Sequence, residues 1–389
     1  MDRLRRRLCR DWPGGSMMRL LQMAGLLLCL VMILPTIRGE EIDLIDPVAP
    51  TPMEPPVPEP EILDFSGESL SSWLGQGRCE IPCRVLDPLD QCPLWTGRAE
   101  SLLLWRGGPQ SAPLFATAAA AGSPGSIALN AADLASGMAA GPRFSLFRHT
   151  GDTGQIEATY FNVDAFRAAA TLPDTSGGYV LAPGLLCCSP ETRLDSGSAM
   201  LSSSIQSLEI NRRLPTAGRW QWLAGFRWVQ WNEDFGMDAA TSLGPDVSIR
   251  NDVNNDLYGF QIGADTFLFG TGGPFWIEGI GKAGVYYNRS AQFTSFALDG
   301  GQPLVAAGGT STSRAAFVGE LGATAVWQVN DWLAVRAGYL ALWLGGIAQS
   351  TNQLDQQCLI CADKPPTQAT DTGGSVFVNG ITLGLEARW

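Results

Sequence analysis

The chain has 389 residues, 45% of them hydrophobic and only 16% charged, against about 25% charged in an average soluble domain, which excludes a disordered tail. A formal net charge of −12 gives it no electrostatic reason to bind nucleic acid, and 45 glycines without a Gly-X-Y period exclude collagen and favour β-rich architecture. The single histidine, His149, rules out multi-histidine metal sites and confines acid–base chemistry to carboxylates or that one ring.

Arg3, Arg5, Arg6, Arg7, Arg10 and Arg19 precede an apolar run at 24–34, with small or polar residues following at Thr36 and Gly39. That order predicts a secretory signal peptide over 1–39, already complete if translation starts at Met17. At about eleven residues the run falls short of the roughly 20 that span a bilayer as a helix, and no other segment reaches that length. Residues 40–65 are acidic and hold seven prolines, as an extended linker would. A short segment at 66–93 carries Cys79, Cys83 and Cys92, and the main domain follows at 94–389. Cys187 and Cys188, with Cys358 and Cys361, complete an odd set of seven exported cysteines. An oxidising compartment favours disulfides among them over a zinc site, and at least one lacks a partner within the chain. No metal and no cofactor is expected.

From Trp95 onward, apolar residues alternate with polar or small ones at period two, the mark of half-buried strands. Ten runs are expected: 95–105, 141–149, 154–163, 200–213, 218–232, 255–269, 274–288, 313–328, 331–345 and 376–389. Most exceed the five or six residues of ordinary strands and suit tilted membrane-spanning ones. Tight turns at 151–154, 215–218, 270–273 and 330–331 alternate with long segments at 106–140, 164–199, 233–254, 289–312 and 346–374. The pattern predicts an all-β, antiparallel, up-and-down transmembrane barrel with short periplasmic turns, long extracellular loops and both barrel ends on the periplasmic side. Outer-membrane lipid is then its first partner.

Trp95 and Trp105 stand ten residues apart on one face, as do Phe317 and Trp327. Ten residues at about 3.3 Å each, tilted about 40°, rise roughly 25 Å, the height of an apolar band between aromatic girdles. Trp343 and Trp389 join the expected girdle set. The opposite face collects Arg98, Glu100, Arg143, Glu157, Glu209, Arg227, Asp265, Glu278, Lys282, Arg314, Glu320, Arg336, Glu386 and Arg388. About ten strands enclose a lumen little wider than the eight-stranded case that side chains fill, and buried charges must be paired or solvated. A narrow, largely charge-paired lumen follows, with Arg336 and Glu320 on adjacent strands as candidate partners.

The segments Trp95-Thr-Gly-Arg98-Ala-Glu100, Leu223-Ala-Gly-Phe226-Arg227, Asn255-Asp256-Leu-Tyr258-Gly259 and Leu383-Gly-Leu-Glu-Ala-Arg-Trp389 resemble the β-barrel porin family, type 7. The resemblance covers 95–389 and implies an outer-membrane barrel; it does not by itself imply a conducting pore. Trp389 is also similar to the terminal aromatic by which the barrel insertion machinery recognises its clients. Gly279-Ile-Gly281-Lys-Ala-Gly284 matches a dinucleotide fingerprint, but the alternation continues through it into Tyr286 and Tyr287, so it belongs to a strand and not to a strand–turn–helix. His149 falls beside the turn at 150–154, on the periplasmic side, and no catalytic constellation accompanies it. The expected role is structural or surface-interacting, with a porin passing small solutes or ions as the alternative; no enzyme is expected.

Overall fold

The computed structural model describes residues 93–389 except 119–123, 151–153, 182–192, 215–219, 243–245, 271, 300–301 and 357–369. The expected signal peptide, the linker, the segment up to residue 92 and all seven exported cysteines lie outside the described residues.

In chain order the strands are β1 (Trp95–Arg106), β2 (Pro113–Ala118), β3 (Pro124–Asn130), β4 (Ala139–His149), β5 (Gln155–Thr171), β6 (Tyr179–Leu181), β7 (Ser196–Arg213), β8 (Trp220–Ala240), β9 (Asp246–Gly270), β10 (Phe275–Asp299), β11 (Gln302–Asn330), β12 (Leu333–Ile347) and β13 (Gly374–Arg388). Ten of them close an antiparallel barrel in the order β1-β13-β12-β11-β10-β9-β8-β7-β5-β4. Closure is sealed at the end that carries both barrel termini, where Trp95 N donates to Trp389 O (2.9 Å) and Trp389 N to Trp95 O (3.0 Å). Closing the sheet leaves every strand of the wall two neighbours through the membrane, which is what hydrocarbon demands of a β structure. Close strand approach at the β1–β13 seam relies on Gly380, where a Cβ would sit 2.8 Å from Leu104 Cα.

Two of the long segments expected from sequence are not loops. Residues 233–254 and 289–312 are mostly strand, because β8 runs on to Ala240 and β9 starts at Asp246, while β10 runs on to Asp299 and β11 starts at Gln302. The physical reason is that alternation never stops there: Phe235, Met237 and Ala239 on β8, and Val247, Ile249 and Val253 on β9, still point inward and are buried. The segments 106–140 and 164–199 also contain ordered strands, since β2, β3 and β6 form a separate sheet in the order β3-β2-β6. Leu114, Phe115 and Leu129 of that sheet share one core with Phe235, Met237, Ile249 and Phe296 of the wall. Asp195 ties these elements together, accepting from Gly177 N and Ser242 N at 2.5 Å each, and the two amides hold its carboxyl below the usual range.

β5 also outruns its expected end at 163. Val163 pairs with Ile205 and Phe166 with Ser203, so Asp164 and Ala165 bulge opposite Ser204. The bulge flips the side-chain parity, and both Val163 and Phe166 face the interior at 0% exposure. Ala165 carries the strain, with φ at 65°. A left-handed L-residue costs about 1–2 kcal/mol, so Ala165→Gly is expected to raise stability by about 1 kcal/mol, offset slightly by unfolded-state entropy. Urea titration of the folded barrel in detergent checks the direction.

Candidate functional site: a filled lumen

Outward-facing residues define where the barrel meets lipid. Near the terminal end Trp220, Phe275, Trp327, Trp332 and Trp389 are exposed, and higher up Tyr258, Tyr287, Phe317 and Trp343 are exposed as well. Between them the outer face offers Phe260, Ile262, Val285 and Leu321, each at least two-thirds exposed. Trp228, Tyr258 and Tyr287 are direct cross-strand neighbours, and the next outward row above them is Gln230, Asp256 and Arg289. The outer face therefore turns polar one step beyond the upper aromatic row, as it must where lipid gives way to water. Of the six expected girdle residues, Trp105, Phe317, Trp327, Trp343 and Trp389 are exposed and Trp95 is half-buried. This is an all-β transmembrane barrel of the outer-membrane type.

The inward face is layered. In the terminal half, ion pairs among side chains from all ten wall strands cross the lumen. Lys282 Nζ reaches Glu209 at 2.7 Å and Glu320 at 3.6 Å, Arg227 Nη1 reaches Glu320 at 2.8 Å, and Arg143 lies 3.7 Å from Glu320 and 3.6 Å from Glu100. Arg336 bridges Glu386 (2.8 Å) and Glu278 (2.9 Å), with Glu100 at 4.0 Å. Arg98 and Arg388 both close on Glu386 at 2.7 Å. Phe147 serves as a flat spacer, with the Arg98 guanidinium 4.4 Å and the Arg213 guanidinium 5.2 Å from its ring centroid.

Thirteen of the fourteen lumen charges read from sequence come together here. Arg314 does not: it has the inward parity but lies above the last paired residue of β12, is exposed, and has no ion pair among the described residues. The candidate pair Arg336–Glu320 is also corrected. β11 and β12 register Val326 against Arg336 and Glu320 against Leu342, six residues apart, so each finds other partners.

Sequence reasoning missed three buried charges of the lumen. Arg213 bonds Glu157 at 2.9 Å and also pairs with Asp265. It shares the parity of Glu209 and Asn211, a signal that was present. Arg106 and Glu233 pair at 2.6 Å, at 1% and 0% side-chain exposure. They continue the inward series Leu102, Leu104 and Val229, Trp231 by one step beyond where the strands had been expected to stop.

Between the network and that pair lies an apolar layer, which includes Leu102, Leu104, Val229, Trp231, Leu257, Leu342 and Val378, all at 0–1% exposure. Above it, the chain leaving β12 folds inward. Gly346 turns with φ at 79°, and Ile347, Ala348, Ser350 and Thr351 are wholly buried. Asn255 brackets Ala348 with bonds to its N and O, both 2.8 Å; Asn251 donates to Ser350 O at 2.7 Å and Asn288 to Gly346 O at 3.0 Å. Glu233 accepts from Ser350 N and Oγ at 2.9 and 3.0 Å. The inserted segment is thus stitched to β8, β9 and β10 by side-chain-to-backbone bonds that satisfy its buried peptide groups.

A cavity of about 850 Å³ remains at the terminal end, lined among others by Arg98, Phe147, His149, Glu157 and Trp276. His149 Nε2 lies 2.9 Å from Thr96 Oγ1 at its rim. Among the described residues, no group of three or more His, Cys, Asp or Glu could hold a metal ion.

No protein-family model and no curated protein matches the chain. Among solved structures it is similar to the outer membrane protease OmpT of Escherichia coli, at 11% identity and a TM-score of 0.37, over 76% of this chain and 94% of that one. It is also similar to the translocator domain of the autotransporter NalP of Neisseria meningitidis (12%, TM-score 0.34, 77% and 90%). A third likeness is to the Pseudomonas putida toluene transporter TodX (7%, TM-score 0.23, 76% and 89%). Likenesses this distant carry nothing about activity.

Proposed function

We propose that this chain is a closed outer-membrane barrel with a structural or surface-interaction role, and not a diffusion porin. What supports this is the middle of the lumen, where the apolar layer and the ion network are stacked without solvent-exposed side chains between them. Ions crossing the lumen would have to displace both layers. The resemblance to the type-7 porin family supports the barrel and its membrane, and shape alone does not make a pore. In the same proposal the two aromatic rows are the membrane girdles, the network is a filling rather than a selectivity filter, and the strand ending at Trp389 is the segment offered to the insertion machinery. The charge network fills only the terminal half of the lumen; the apolar layer, the Arg106–Glu233 pair and the inserted segment complete it. No catalytic step is assigned.

Planar-bilayer recording of the purified full-length protein is the test. Traces without stable steps at 1 M KCl are expected. Large, stable steps of wild-type protein would overturn the closed barrel and promote the porin reading, in which the same charges would be solvated and would tune ion selectivity.

A further inference from the structure

The turn at Gly346 that sends β12 into the lumen has a second effect on the wall. β11 pairs with β12 only from Phe317 onward, so over 308–316 it pairs with β10 on one side and with no strand among the described residues on the other. In an antiparallel sheet every second residue of such an edge turns its N–H and C=O outward. Folds that keep an edge unoccupied blunt it with proline, a bulge or charges. Here the stretch Gly308-Gly-Thr-Ser-Thr-Ser-Arg314-Ala-Ala has no proline and one charge, and its only register shift against β10 lies beyond it, between Phe296 and Leu298. Ser311, Ser313, Arg314 and Ala315 are exposed and Thr310 and Thr312 half-exposed, so both faces of the edge are reachable. Ala315 is level with Tyr287 of the upper aromatic row, and the stretch from Ser313 back to Gly308 stands above that row, outside lipid.

An independent feature lies beneath it. Gln292 of β10 is the direct neighbour of Thr310, points inward and is 4% exposed, yet neither its amide nitrogen nor its amide oxygen has a hydrogen-bond partner among the described residues. A buried amide left with both ends open is costly. A strand seated beyond β11 would lie two strand spacings, about 9–10 Å, from β10, within the joint reach of two long polar side chains.

We propose that the outer half of β11 is a docking edge for an extended polypeptide segment of a partner outside the cell, added as an eleventh strand. The partner's inner-face side chains are a carboxylate opposite Arg314 and an amide near Gln292. A second copy in the same membrane does not fit. A twofold axis along the membrane normal would set two β11 edges side by side in the same direction, with donors facing donors. The proposal is independent of whether the lumen conducts.

The test is hydrogen exchange on the full-length barrel in detergent, with an acetylated nonapeptide alternating valine with Thr, Gln and Glu as probe. Without peptide, alternate amides in 308–316 are expected to exchange rapidly while those bonded to β10 stay protected. Saturating peptide should slow the rapid set at least tenfold. Gln292→Ala and a Glu-to-Lys peptide should each weaken binding about fivefold, while Gln292→Ala leaves heat-modifiable gel migration unchanged. Amides that are all protected before peptide is added would mean the chain itself or another molecule already covers the edge, and would overturn the proposal. So would unchanged exchange at millimolar peptide.

Discussion

Replacing Glu320 by leucine is expected to cost the barrel about 3–5 kcal/mol, because it leaves the buried Arg227 without its ion-pair partner and takes one of two carboxylates from Lys282 and Arg143. The carboxylate is almost fully buried, so water cannot step in as it would at an exposed pair. Loss should appear as a lower urea midpoint and as unfolding on gels at a lower temperature. The pairing scheme adds a sharper expectation. Arg227→Leu should recover part of the loss in the Glu320→Leu background, since it removes the orphaned charge. Arg336→Leu should not, because Arg336 belongs to the neighbouring cluster around Glu386 and Glu278. Coupling of 0.5–3 kcal/mol is typical of contacting residues, and near-additivity of separated ones. A strong Arg336–Glu320 coupling would show that the two clusters are one electrostatic unit.

The closed barrel was legible in the sequence because a half-buried strand writes its two faces in alternate letters. Run 313–328, with Phe317, Leu321 and Trp327 against Glu320 and Thr324, is such a case, and the structure keeps its parity throughout. Legibility failed where the alternation carried a different meaning. In Tyr339-Leu-Ala-Leu-Trp-Leu344 both parities are apolar, one facing lipid and the other the interior layer, so the inward leucines were invisible to a reading that expected polar residues inside. At 235–253 the alternation persisted, but nothing local separates a strand wetted by lipid from one rising above it with a loop sheet on its inner face. The bulge at Asp164 and Ala165 hid the rest of β5, because a parity flip looks like the end of a strand. Pairings within the network were out of reach for another reason. They depend on which rows of different strands fall at one height, and a slip of a few residues between β11 and β12 would have exchanged the partners of Arg336.

Gly346→Val is expected to expel the inserted segment, with an effect of several kcal/mol. At φ 79° a β-branched residue is a genuine outlier, and the left-handed backbone alone costs about 1–2 kcal/mol. Space adds to it: a Cβ would stand 2.8 Å from Ala315 O and 3.1 Å from Ala316 Cα, both backbone atoms of the wall that cannot swing aside. If the turn fails, Asn255, Asn288 and Glu233 lose the peptide groups they hold, at about 1 kcal/mol for each neutral bond and more for the carboxylate. Gly345 is the control on the same strand, since nothing lies within 4 Å of a Cβ built there, and Gly345→Val should be close to neutral. Limited proteolysis reads the outcome directly. In wild type and in Gly345→Val, the buried stretch 347–354 should resist cleavage; in Gly346→Val, cuts should map within it while the rest of the wall stays protected. Equal resistance in both variants would mean that the packing around Ile347 and Leu354, and not the glycine turn with its polar anchors, holds the segment in the lumen.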